Sequence, residues 1–204
     1  MCKIKICGLN RFEDIDAVNR ALPDFVGFVF AGSRRRVDAK TAAALKEKLD
    51  NKIESVGVFV NQDISFVSDL YKNGIINLAQ LHGDEDGKYI RELKEACGCR
   101  VIKSAAVGRA LPSLVSGADY ILFDTASEQR GGTGETFNWN ILKEYRWPPF
   151  FLAGGLTAMN VENAIRMLAP FCVDVSSGVE TDGLKDPAKI AEIVKIVKGM
   201  ENNE

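Results

Sequence analysis

The chain is poor in the residues that bind metal ions. It contains a single histidine, His82, and its five cysteines include no paired CxxC spacing. Cys97 and Cys99 form an isolated pair, whereas a tetrahedral zinc site needs further cysteine or histidine ligands. We therefore expect no metal, and we interpret the cysteines as reduced thiols of a cytoplasmic protein.

Long hydrophobic runs and an excess of either charge are also missing. No apolar stretch approaches the roughly 20 residues that a membrane span needs, and the start, MCKIKICG, interleaves lysines with apolar residues, unlike a secretory signal. The net charge is -2, and the densest basic run, Arg34 to Arg36, is too short for a polyanion surface. We expect neither a membrane nor a nucleic-acid partner.

What the sequence does contain is a regular alternation of strand and helix patterns. Eight short apolar runs follow one another at intervals of roughly 20–30 residues, the length of a βα unit. They are KIKIC (3–7), VGFVF (26–30), SVGVFV (55–60), LAQLH (78–82), RVIKS (100–104), YILFD (120–124), FFLAG (150–154) and CVDVS (172–176). Amphipathic stretches of helical period lie between most of them, but ALPSLVSG before the sixth run is short, and a Gly-rich loop follows that run. No linker divides the chain, and the first turn lacks GxGxxG, so we predict a single-domain (β/α)8 TIM barrel over residues 1–204.

In such a barrel the chemistry lies at the carboxyl ends of the strands, which here include Cys7, His82 and Asp124. Each has an ordinary structural explanation: a cysteine is commonly a small buried hydrophobe, an aspartate can cap a turn, and a histidine can be a packed polar group. Arginines 34–36 could be surface charge. Only the shared location of these residues favours a functional interpretation.

Glycine-rich loops follow the last three runs: GGTG (131–134), AGG (153–155) and SSG (176–178). Glycine lets backbone N–H groups approach an anion, and the loops after strands seven and eight are the usual phosphate site of these barrels. An aspartate and a cysteine thiolate can both transfer protons. These parts predict acid–base isomerisation of a small phosphorylated substrate.

The ordered motifs resemble those of the phosphoribosylanthranilate isomerase family of tryptophan biosynthesis. They are KICGL, VGFVF…SRRRV, VGVFVN, LAQLHG, FDT, GGTGETFNW, FLAGGL and VDVSSGVE, and they extend from Lys5 to about Glu180. The resemblance implies conversion of N-(5'-phosphoribosyl)anthranilate to 1-(2-carboxyphenylamino)-1-deoxyribulose 5-phosphate by an Amadori rearrangement, without a cofactor. It is compatible with a monomer or a homodimer.

The resemblance also implies roles for individual residues. Asp124 would be the general acid that opens the ribose ring, and Cys7 the general base that takes the proton from the second sugar carbon. Arg35, with Arg34 and Arg36 as neighbouring candidates, would face the anthranilate carboxylate, and His82 would lie near the site. The phosphate would be held by backbone amides around Gly132, Gly134, Gly154, Gly155, Ser177 and Gly178.

Three positions depart from the family pattern: CGLN in place of CGIT or CGLT, GETF in place of GKTF, and LAGGL in place of LSGGL. Glu135 would bring a negative charge to the phosphate loop. None of the three changes involves Cys7 or Asp124, so they concern affinity rather than reaction type. Two alternatives stay open. The related aminoaldose-phosphate isomerase of histidine biosynthesis normally has an aspartate where Cys7 stands, and a non-catalytic phosphometabolite-binding barrel would not need both Cys7 and Asp124.

Overall fold

The strands form a closed parallel barrel in a computed structural model that describes residues 2–125, 137–143, 145–146 and 148–200. Each strand pairs with the next along the chain, and β1 closes the barrel against β8, with Ile6 beside Val175. The eight strands are β1 Lys3–Cys7, β2 Phe25–Val29, β3 Glu54–Phe59, β4 Leu78–Leu81, β5 Arg100–Val107, β6 Tyr120–Thr125, β7 Phe150–Leu152 and β8 Cys172–Val175. The predicted eight-stranded barrel is confirmed.

Six α-helices among the described residues surround the barrel: α1 Phe12–Ala21, α2 Ala39–Lys48, α3 Ile64–Lys72, α4 Gly87–Cys97, α5 Val161–Leu168 and α6 Pro187–Gly199. Aspartates begin several of them. Asp38 and Asp86 accept hydrogen bonds from the backbone N–H groups three residues later, and Asp186 precedes Pro187 at the first helical position. No helix in the described part of the chain is both long and apolar enough to cross a membrane.

Two connections between strands contain no α-helix among their described residues. Both correspond to the βα units in which the sequence shows the weakest helical pattern. Residues 108–119, between β5 and β6, form a loop that contains Pro112 and turns at Gly117 with φ 94°. Between β6 and β7 the described residues form a short 3-10 helix, Trp139–Leu142.

Side-chain alternation divides the barrel interior into layers, because every second residue of a strand points inward. The lowest layer is apolar and includes Phe25, Leu78, Leu122, Phe151 and Cys172. Gln80 and Asp174, two positions beyond Leu78 and Cys172, are polar and almost completely buried, and so is Lys5 of β1. Cys7 and His82 lie two positions beyond Lys5 and Gln80, and Asp124 lies two positions beyond Leu122 of the apolar layer. A polar layer therefore lies between the apolar core and the mouth of the barrel.

Candidate active site

A cavity of about 320 Å³ opens at the carboxyl ends of the strands. It is lined by eight of the ten residues that the sequence analysis selected: Cys7, Arg35, His82, Asp124, Gly154, Gly155, Ser177 and Gly178. The other two, Gly132 and Gly134, lie outside the described residues. The described residues include no group of three or more His, Cys, Asp and Glu side chains that could hold a metal ion.

Cys7 ends β1 with its thiol in the floor of this cavity, and the residue is 8% exposed. A Cβ atom on Gly27 of β2 would lie 2.6 Å from the Cys7 sulfur, so only glycine leaves room for the thiol there. Burial raises the pKa of Cys7, whereas the ammonium groups of Lys5 and Lys185 act to lower it. A thiolate at this position therefore depends on the two buried lysines beside it.

Asp124 lies near the end of β6, three strands away from Cys7 around the barrel. Its Oδ1 accepts a hydrogen bond of 2.8 Å from the backbone N–H of Thr125, and its Oδ2 lies 3.7 Å from Nε2 of His82. Burial raises the pKa of Asp124 to about 6, although the Thr125 hydrogen bond acts in the opposite direction. This carboxyl group holds a proton at much higher pH than an ordinary aspartate does.

Arg35 is the one residue of the arginine run that lines the cavity. Its Nε and Nη2 donate to the carboxylate of Glu180 at 2.7 and 3.1 Å, and exposed Arg34 pairs with the same carboxylate. The Arg35 side chain lies across Gly8, where φ is 85° and a Cβ atom would approach Arg35 Cδ to 2.4 Å. Gly8 thus provides both the left-handed turn and the space for Arg35.

Glu180 is the centre of this charged group. Its carboxylate also accepts a hydrogen bond of 2.9 Å from Lys185, which in turn donates to the backbone oxygen of Ser176 at 2.8 Å. Burial would raise the pKa of Glu180, but the hydrogen bonds from Arg35 and Lys185 outweigh it and lower the pKa to about 2. Glu180 therefore stays ionised and holds both cations at the edge of the cavity.

The glycines after β7 and β8 bring backbone close to the cavity. Gly154 and Gly155 have φ of 87° and 63°, and a Cβ on Gly154 would lie 2.3 Å from Thr125 Oγ1. A Cβ on Gly178 would lie 1.9 Å from the carbonyl oxygen of Leu156. Side chains are excluded at Gly154 and Gly178, so backbone lines this part of the cavity and its N–H groups can approach an anion.

The sequence analysis missed the polar layer below these residues. Lys5 is fully buried and donates to Gln80 Oε1 at 2.6 Å and to Asp174 Oδ2 at 2.8 Å. Asp174 Oδ1, which is also buried, has no hydrogen-bond partner among the described residues. The signal that could have found them is the alternation itself: KIKIC places Lys5 on the same face as Cys7, and CVDVS places Asp174 at an inward position.

The fold and the site define a (β/α)8-barrel enzyme, whose cavity at the carboxyl ends of eight parallel strands is lined by Cys7, Arg35, His82 and Asp124 among other residues. The model of the family described as N-(5'phosphoribosyl)anthranilate (PRA) isomerase matches residues 4–196. The chain belongs to this family. The match favours the tryptophan-pathway interpretation over the two alternatives considered from the sequence.

Individual relatives match this chain in sequence and in structure over their full lengths. N-(5'-phosphoribosyl)anthranilate isomerase of Endomicrobium trichonymphae is 50% identical over 201 residues, covering 98% of this chain and 100% of the relative. The crystal structure of phosphoribosyl anthranilate isomerase from Thermotoga maritima is 35% identical, with a TM-score of 0.84, and the match covers 98% of this chain and 100% of that one. A structure of the enzyme in complex with reduced 1-(o-carboxyphenylamino)-1-deoxyribulose 5-phosphate is 33% identical, with a TM-score of 0.81 and the same coverage.

Proposed function

We propose that this protein converts N-(5'-phosphoribosyl)anthranilate to 1-(2-carboxyphenylamino)-1-deoxyribulose 5-phosphate in tryptophan biosynthesis, by an Amadori rearrangement with acid–base catalysis. Family membership and the relative bound to a reduced form of that product support the substrate. The observation that carries the mechanism is that a carboxyl group with raised pKa and a buried thiol beside two lysines line one cavity.

Asp124 acts first, as the general acid. It donates its proton to the ribose ring oxygen while the bond between that oxygen and the first sugar carbon breaks, and the nitrogen lone pair forms an iminium. A pKa of about 6 keeps more of the protonated carboxyl form near neutral pH than the ordinary value of 3.8 would. The step leaves an Asp124 carboxylate inside the cavity.

Cys7 then acts as the general base. Its thiolate takes the proton from the second sugar carbon, and the electron pair of that C–H bond neutralises the iminium to give an enolamine. Tautomerisation of the enolamine produces the ketone, so substrate and product are isomers. Lys5 and Lys185 are the groups whose charge favours the thiolate before this step.

Arg35 and the backbone walls would bind the two anionic ends of the substrate. Glu180 holds the Arg35 guanidinium through Nε and Nη2, which leaves the Nη1 donors for the anthranilate carboxylate. Glycines 154, 155 and 178 with Ser177 would hold the phosphate through backbone N–H groups, together with Gly132 and Gly134. We propose no metal or organic cofactor for these steps.

A turnover assay tests the proposal. Purified protein should consume N-(5'-phosphoribosyl)anthranilate, followed by loss of its fluorescence, without added metal, and the aminoaldose phosphate of histidine biosynthesis serves as the competing substrate. No consumption of either compound by folded protein would refute the enzymatic proposal. Residence in the cytoplasm, assembly as a monomer or homodimer and the absence of a nucleic-acid partner stay predictions from the sequence.

A further inference from the structure

The polar layer inside the barrel links the floor of the cavity to His82 through one ammonium group. Lys5 Nζ is buried between Gln80 Oε1 at 2.6 Å and Asp174 Oδ2 at 2.8 Å. An ammonium group donates hydrogen bonds and accepts none. The side-chain oxygen of Gln80 must therefore face Lys5, which determines the orientation of its amide.

With its oxygen toward Lys5, Gln80 directs its NH2 group at the imidazole ring of His82. Gln80 Nε2 lies 3.1 Å from His82 Nδ1. Because that NH2 group can only donate, Nδ1 has to accept, and the proton of the neutral ring is then on Nε2. Nε2 is the ring nitrogen that lies 3.7 Å from Asp124 Oδ2.

We propose that Gln80, oriented by Lys5, is a positioning residue that holds His82 as the Nε2–H tautomer, with that N–H facing the Asp124 carboxyl group. The inference rests on the proposed function in so far as Asp124 is the acid. When Asp124 gives up its proton, the new carboxylate faces an N–H group. The other tautomer would present a lone pair to the carboxylate and oppose its formation.

Ser104 also contacts His82 Nδ1, and its effect on the tautomer can be compared with that of Gln80. Its hydroxyl lies 2.7 Å from the same Nδ1 atom. A hydroxyl can donate or accept, so Ser104 is compatible with both tautomers and does not choose between them. Gln80 and Ser104 are thus two partners of one atom, and only Gln80 dictates where the proton lies.

The experiment uses the fact that His82 is the only histidine of the chain. Protein labelled with 15N-histidine gives one pair of ring nitrogen resonances, and a long-range 1H–15N correlation at pH 8 identifies the protonated nitrogen. The wild type should show a pyridine-type Nδ1 and a pyrrole-type Nε2. Gln80→Met, similar in length and uncharged, should move the Nδ1 resonance toward the pyrrole type, whereas Ser104→Ala should leave the tautomer unchanged.

A protonated Nδ1 in the neutral wild-type ring would overturn the proposal, and so would a Gln80→Met spectrum identical to that of the wild type. A change of tautomer in Ser104→Ala would show that Ser104, and not Gln80, selects the His82 tautomer. If Gln80→Met does not fold, the spectra of the wild type and Ser104→Ala still test the proposal. Gln80→Met should also lower kcat about tenfold with little change in KM, the effect of about one hydrogen bond. The spectra need no substrate, so a protein that shows the expected tautomers but no turnover would refute the proposed function alone.

Discussion

Replacing Asp124 by asparagine should stabilise the protein while inactivating it. The asparagine side chain has the shape of the protonated acid, and its oxygen can still accept the hydrogen bond from the Thr125 backbone. It cannot ionise, so it removes the cost of holding a carboxylate in a side-chain position that is only 15% exposed. It also cannot donate a proton as the acid does, so turnover should fall by at least about 100-fold.

The magnitude follows from the pKa of Asp124. A rise from 3.8 to about 6 on folding corresponds to about 3 kcal/mol, at about 1.4 kcal/mol for each pKa unit. The raised pKa means that the folded state binds the proton more tightly. The stability that this proton confers is complete below about pH 4 and is lost as pH rises through 6. Wild-type protein at pH 8 therefore carries the full cost, and Asp124→Asn carries none.

Urea unfolding of both proteins at pH 4.5 and pH 8 measures the effect. The free energy of unfolding of Asp124→Asn, relative to the wild type, should be greater at pH 8 than at pH 4.5 by about 2 kcal/mol. Other titrating groups are common to both proteins and cancel in this difference. Asp16→Asn, on the exposed face of α1, is the control and should show no such pH dependence. An equal stability difference at both pH values would refute the argument that burial raises the pKa of Asp124.

Three further substitutions test the other parts of the site. Cys7→Ser should bind substrate but turn over at least about 100-fold more slowly, because a hydroxyl is a much poorer base than a thiolate; full activity in steady-state kinetics would remove Cys7 as the base. Arg35→Ala should raise KM about tenfold or more with a smaller effect on kcat, and an unchanged KM would redirect attention to Arg34. Gly178→Ala should destabilise the protein by about 1–3 kcal/mol in urea unfolding, because its Cβ would meet backbone at 1.9 Å. Gly199→Ala, whose Cβ would meet only open space among the described residues, is its control, and equal effects of the two would contradict the clash.

The barrel was predictable because its strands carry their own signal. Runs such as SVGVFV and CVDVS were recognised within one or two residues of the observed β3 and β8. The connections were predicted less completely. The two units in which the sequence shows the weakest helical pattern, after β5 and β6, contain in their described residues a loop and a 3-10 helix, and Pro112 and Gly117 lie in the first of them.

The sequence alone determined which residues end the strands, since alternation and turn residues are local properties, and Cys7 and Asp124 were found that way. Only the tertiary structure decided what surrounds them. Barrel closure brings Lys5, Gln80 and Asp174 together from β1, β4 and β8, and it selects Arg35 from three adjacent arginines by burying it against Glu180. The burial and the charge at the cavity result from residues of several strands that are distant in sequence, so no local sequence pattern predicts them.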